Sequence, residues 1–127
     1  MAGESPGVVF EDRVARLPNA EKALIESEKI RAYILSSAHP VGRFKAAFFR
    51  KFGYSAENWE EFEQSLRQLI ISQDVSGIEE TRYGRKYVVE GSLGSPAGDV
   101  LQIVTVWVIL KGQDRPRFVT AYPGGLR

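Results

Sequence analysis

The chain has 127 residues, enough for one ordinary domain, and its 43% hydrophobic and 11% aromatic content suffices to bury a core. Seventeen Lys plus Arg against sixteen Asp plus Glu leave a formal charge of +1, which excludes a strong global field drawing the protein to nucleic acid or membrane, so any basic patch is local. Cysteine is absent, which excludes disulfides, thiolate metal sites and cysteine nucleophiles together.

The first residues, "MAGESPG", are small, polar and turn-forming, and residues 1–16 are expected to be an N-terminal arm, with "VVF" as a short strand. This beginning lacks a basic region followed by an apolar one, and no apolar run reaches the roughly 18 residues that cross a bilayer. The cytoplasm is therefore the expected compartment. Residues 17–127 are expected to form a single domain. After the turn-like "LPNAEK", the stretch "ALIESEKIRAYILSS" sets Ile30, Tyr33 and Ile34 at helical spacing, with Ser27 available as an N-cap. A second helix is expected over residues 40–52, because Pro40 suits a first turn and Gly53 the left-handed position past the end. Ser55 can cap a third, in which Glu57, Glu60 and Glu61 lie near the positive end of the dipole. Its apolar stripe is Trp59, Phe62, Leu66, Leu69 and Ile70.

From about Gly77 the period changes to two. "RYGRKYVVEGSL" alternates, "VLQIVTVWVIL" is apolar on both faces, "RFVTAYP" reads as a last strand, and "GSPAGD" and "KGQDRP" are turn clusters between them. The expected fold is α+β: two to three N-terminal helices packed on a C-terminal antiparallel meander of three to four strands, the middle one buried on both sides.

The stretch "HPVGRFKAAFFRKFGYS" holds the chain's one histidine. Spaced by 100°, Phe44, Phe48, Phe49 and Phe52 share a wide arc that meets the sheet, while Arg43 and Arg50 point to solvent. Lys45 falls inside the phenylalanine arc. Either its stem packs and its ammonium snorkels at the core rim, or it is a cation at the edge of a cleft between helix and sheet. His39 is either a neighbour of the helix cap or, with Arg43 and Lys45, an acid/base group beside two cations. On the first long strand Tyr83, Arg85 and Tyr87 fall on one side and Lys86 on the other, a pattern that suits phosphate and base contacts or a solvated edge. On the last strand Phe118, Thr120 and Tyr122 are expected on one face, where the threonine and tyrosine are either phosphate ligands or simply good strand formers. One histidine and no cysteine give little to a metal, and no phosphate loop or nucleophile elbow occurs.

The segments "LPNAEKALIESEKIRAYILSSAHPVGRFKAAFF" and "RYGRKYVVEGSL", "VTVWVIL", "PRFVTAYP" resemble a family of small bacterial proteins and toxin-module tails known as a domain of unknown function. The shared marks are P-N-A, then H-P-x-G-R-x-K-A, a tyrosine-bearing strand and T-A-Y-P, from Leu17 to Pro123. More loosely, helices followed by a sheet that ends in T-A-Y-P are similar to the metal-independent ribonucleases that include barnase, EndoU, the colicin nucleases and the RelE-type toxins. The chain departs from the EndoU pattern in having one histidine instead of two. That resemblance implies an endoribonuclease toxin that cleaves through the ribose 2′-hydroxyl without a cofactor. It implies His39, Lys45, Thr120 and Tyr122 as catalytic residues, Arg43, Arg85 and Tyr87 as phosphate ligands, RNA as substrate, and an acidic antitoxin or immunity protein as partner. The alternative expectation is a non-enzymatic protein-interaction module, which the near-neutral charge favours.

Overall fold

A computed structural model describes residues 15–31, 43–94, 96 and 98–124, with 43–46 described by backbone alone. After a 3-10 turn at Ala20–Lys22 come three helices, α1 (Ser27–Lys29), α2 (Arg43–Lys51) and α3 (Trp59–Ser72). Four strands follow, β1 (Val75–Glu80), β2 (Gly84–Gly94), β3 (Val100–Leu110) and β4 (Arg117–Pro123). They form one antiparallel sheet in the order β1-β2-β3-β4. This is the α+β meander expected from the change of period near Gly77.

The short α1 begins at Ser27, which is its first residue rather than its cap. Leu24, just before it, bridges Arg117 in parallel: the Leu24 N–H donates to Pro116 O at 2.8 Å, and the Phe118 N–H to Leu24 O at 2.9 Å. A segment that looked helical by composition thus extends the sheet edge beside β4, because these backbone groups find partners there. Tyr33, Ile34, the expected first turn of α2 and the expected strand "VVF" lie outside the described residues. Gly53, at φ 96°, ends α2 in the left-handed conformation. Ser55 and Asn58 form a reciprocal capping box over a 3-10 turn at Ala56–Asn58 that leads into α3.

The core lies between the helices and one face of the sheet. Phe62, Leu66, Leu69 and Ile70 are the buried stripe of α3. The Phe62 ring meets Phe49 of α2 at 5.0 Å and Tyr54 at 5.1 Å, both edge to face. α3 crosses β2 so closely that a Cβ on Gly91 would stand 2.5 Å from Leu69 Cδ1. Gly91 pairs with Ile103 and Val89 with Thr105, so the odd-numbered residues of β2 and β3 face the helices, with Tyr87, Val89, Leu93, Leu101, Ile103 and Trp107 buried among them. Residues 103–107 are buried on both faces, as the β-branched run in β3 predicts. Thr105 is a fully buried polar residue: its hydroxyl donates to Val89 O at 2.8 Å and accepts the Trp107 indole N–H at 2.8 Å.

Ala15 and Arg16, expected in an arm, are tied to the sheet. The Val75 N–H donates to Ala15 O at 2.8 Å, and the Arg16 guanidinium pairs with Asp74.

Candidate functional site

The last strand carries a β-bulge. Arg117 pairs with Val108 and Phe118 with Trp107, but the next partnered residue, Thr120, pairs with Val106, leaving Val119 as the extra residue. An extra residue in one strand reverses the alternation beyond it. Phe118 is therefore buried against Trp107, with ring centroids 5.3 Å apart. Thr120 and Tyr122, opposite Val106 and Val104, fall on the face away from α3. The expectation that Phe118, Thr120 and Tyr122 share one face is corrected: the phenylalanine joins the core and the two hydroxyl-bearing residues leave it.

This second face has an apolar centre and a polar surround. Val104 and Val106 are 8% and 9% exposed and sit between Val88 and Glu90 on β2 and Thr120 and Tyr122 on β4. Tyr122 is 38% exposed. One row further on, Lys86, Val108 and Arg117 stand side by side across three strands. Lys86 Nζ lies 3.3 Å from Glu79. At the opposite end Gln102 donates to Ser92 Oγ at 2.6 Å. α3 packs against β2 on the opposite face. Hydroxyls and cations around small aliphatic side chains suit contact with a phosphodiester chain, the hydroxyls orienting its oxygens and the cations meeting its charge.

The other expected site residues go elsewhere. Arg85 and Tyr87 lie on the helix-side face, not with Thr120. Tyr87 is buried, and Arg85 donates to Glu80 at 2.5 Å. The hydrogen bond to Tyr87, then that to Glu80, raises the Arg85 pKa above its ordinary value. Tyr83 belongs to the β1–β2 turn, not to the strand face of Arg85, and is 67% exposed. Arg43 and Lys45 are on α2, whose Phe49 packs in the helix layer and which lies near β4. The helix layer covers the face opposite to Thr120 and Tyr122. His39 lies outside the described residues. Sequence reading passed over Arg117. Its charge was visible, but its position on the Thr120 face depends on the bulge, which leaves no mark in "RFVTAYP". Lys86 lies, as alternation predicts, on the face opposite to Arg85 and Tyr87.

Among the described residues no group of three or more His, Asp or Glu is arranged to hold a metal ion. Nor is any described helix long and apolar enough to cross a membrane.

No curated protein sequence matches the chain. A solved structure with a similar fold is a contact-dependent growth inhibition toxin–immunity protein complex from Klebsiella pneumoniae 342. One chain of that complex superposes with a TM-score of 0.62 at 17% identity, covering 79% of this chain and 98% of its own. At that identity the likeness is one of fold. A family model matches residues 16–125, nearly the whole described region, and the chain belongs to the family defined by the domain of unknown function DUF6883.

Proposed function

We propose that this protein is a metal-independent endoribonuclease of the toxin class, acting on the sheet face that bears Thr120 and Tyr122. The observation that carries this reading is the company those two residues keep: two hydroxyls adjacent on β4, with Arg117 and Lys86 in the next row of the same face. In such an enzyme the ribose 2′-hydroxyl attacks the adjacent phosphorus, its proton passes to a base, and the 5′-oxygen leaves with a proton from an acid. Thr120 and Tyr122 donate to the non-bridging oxygens, where charge builds in the transition state, and Arg117 and Lys86 supply positive potential. His39 is the acid/base candidate, as the chain's one histidine, the residue type whose ordinary pKa lies nearest neutrality. Arg43 and Lys45, on α2 in the helix layer, have no part in this face. The fold likeness to a chain of a toxin–immunity complex is consistent with this class and with an acidic protein partner that covers the face.

A second reading, an interaction module that binds another protein without chemistry, is favoured by one observation. Lys86 and Arg85 are already balanced by Glu79 and Glu80, which leaves less charge for RNA. The test is cleavage of labelled mixed-sequence RNA, tRNA and ribosomes in EDTA by the parent protein and by Thr120→Val, Tyr122→Phe and His39→Ala variants of unchanged fold. Products with cyclic phosphate ends, lost in the variants, support the ribonuclease. No cleavage of any of these RNAs rejects it in favour of the module.

A further inference from the structure

Beside the Thr120 row, at the corner where the Leu24 segment joins β4, lies a recess of about 140 Å³ lined by Leu24, Glu26, Lys29, Val108, Arg117 and Phe118. We infer that this recess is a second phosphate-binding subsite, holding the phosphodiester next to the one at Thr120 and Tyr122. The inference rests on the ribonuclease reading and extends it to the substrate chain.

Three observations support it. First, Lys29 and Arg117 both line the recess, and among the described residues neither is in a salt bridge. One carboxylate, Glu26, lines it with them, so the two cations outnumber the acid. Second, the size selects the ligand. A water occupies about 30 Å³ of liquid and pockets for drug-sized molecules begin near about 300 Å³, so the recess suits a phosphate group with some solvent and not a whole nucleotide. Third, the bulge at Val119 aligns it with the site. Without that extra residue Arg117 and Thr120, three apart, would face opposite sides of the sheet. With it Arg117, Thr120 and Tyr122 follow one another on one face opposite Val108, Val106 and Val104, which step along β3 by two residues, about 6.8 Å of antiparallel rise. Arg117 and two hydroxyls spaced along β4, with Lys29 of α1 lining the recess beside Arg117, form a track for an extended single strand.

Two other recesses among the described residues lack these features. The one lined by Glu80, Arg85, Tyr87 and Lys111 has its guanidinium bound to Glu80. The one between α3 and β2, lined by Gln64, Ser65, Gln68 and Ser92, contains no charged side chain.

The test is an amide and arginine side-chain NMR titration of the parent protein with inorganic phosphate, then with an all-deoxy oligonucleotide. Lacking 2′-hydroxyls, that strand cannot be cleaved by the proposed route, so the readout is independent of activity. Saturable shifts at Arg117, Lys29 and Val108 are expected with both ligands. Arg117→Gln or Lys29→Gln should each weaken oligonucleotide binding about 10-fold at low salt and reduce the slope of log affinity against log salt by about 1. Oligonucleotide shifts confined to Thr120 and Tyr122 would overturn the subsite and leave the ribonuclease standing. Recess shifts in a protein that cleaves no RNA would uphold the anion site and reject the ribonuclease. Shifts with a poly-glutamate peptide and none with phosphate or oligonucleotide would overturn the inference in favour of an acidic protein partner.

Discussion

Phe118 and Thr120 lie two residues apart on one strand, where an unbroken alternation would set them on the same face, yet Phe118 is 4% exposed against Trp107 and Thr120 stands on the other side of the sheet opposite Val106. Their energetic roles should separate accordingly. Phe118→Ala removes a buried ring and is expected to cost about 3–5 kcal/mol, while Thr120→Val should cost about 1 kcal/mol or less. Urea denaturation of both variants measures the difference. Equal losses would refute the opposite facing of the two residues.

The buried hydroxyl of Thr105 links β2 to the indole of Trp107. Thr105→Val keeps the shape but strips the Trp107 N–H of its acceptor in a dry site, for an expected loss of about 1–3 kcal/mol. Trp107→Phe in the Thr105→Val background should then cost less than in the parent, because the orphaned donor is removed with the indole. A double-mutant cycle by chemical denaturation reads that coupling.

Gly91 fixes how closely α3 approaches the sheet. A methyl group there would meet Leu69 Cδ1 at 2.5 Å and Gln73 Cγ at 2.9 Å, and Leu69 is a buried member of the core. Gly91→Ala is expected to destabilise by about 1–3 kcal/mol through overpacking. Thermal melts should show Leu69→Ala losing less in the Gly91→Ala background than in the parent.

Tyr54 is 1% exposed, shares a hydrogen bond of 2.7 Å with Ser65 and donates to Gly94 O at 3.1 Å. Burial raises its pKa above the ordinary value, and Glu61 adds to the rise against the opposing effect of the Ser65 hydrogen bond. The folded state therefore holds the phenolic proton after the unfolded chain releases it near pH 10. Its stabilisation is complete below that pH and is lost as pH rises through the folded-state value. Melting temperatures at pH 8 and pH 11 should show the parent's advantage over Tyr54→Phe shrinking at the higher pH. A constant gap would contradict the assigned shift.

If the open face cleaves RNA, Tyr122→Phe and Thr120→Val should each lower the rate by about 10²–10³-fold, the range for loss of one donor to a transition-state oxyanion. Tyr87→Phe, on the other face, should leave it within about threefold. Single-turnover cleavage in EDTA is the measurement.

Local signals were legible wherever a side chain's environment is set by its neighbours in sequence. The α3 stripe from Phe62 to Ile70, the capping role of Ser55, the end of α2 at Gly53 and the doubly buried β3 all follow from periodicity and backbone preference. The parallel bridge of Leu24 was not legible, because its partner, the chain at Pro116 and Phe118, is remote in sequence and the bonds are made by backbone groups that every residue carries.

The sequence by itself determined that this chain folds as helices on an antiparallel meander, since hydrophobic period and turn chemistry act over a few residues. It also singled out Thr120 and Tyr122. Only the tertiary structure decided which side of the sheet they occupy and which cations join them. One unpaired residue, Val119, reverses every side chain after it, and whether a strand accommodates that residue depends on the register of the strand beside it. Trp107 holds Phe118 in the core, and the bulge then turns Thr120 and Tyr122 to the face they share with Arg117 and Lys86.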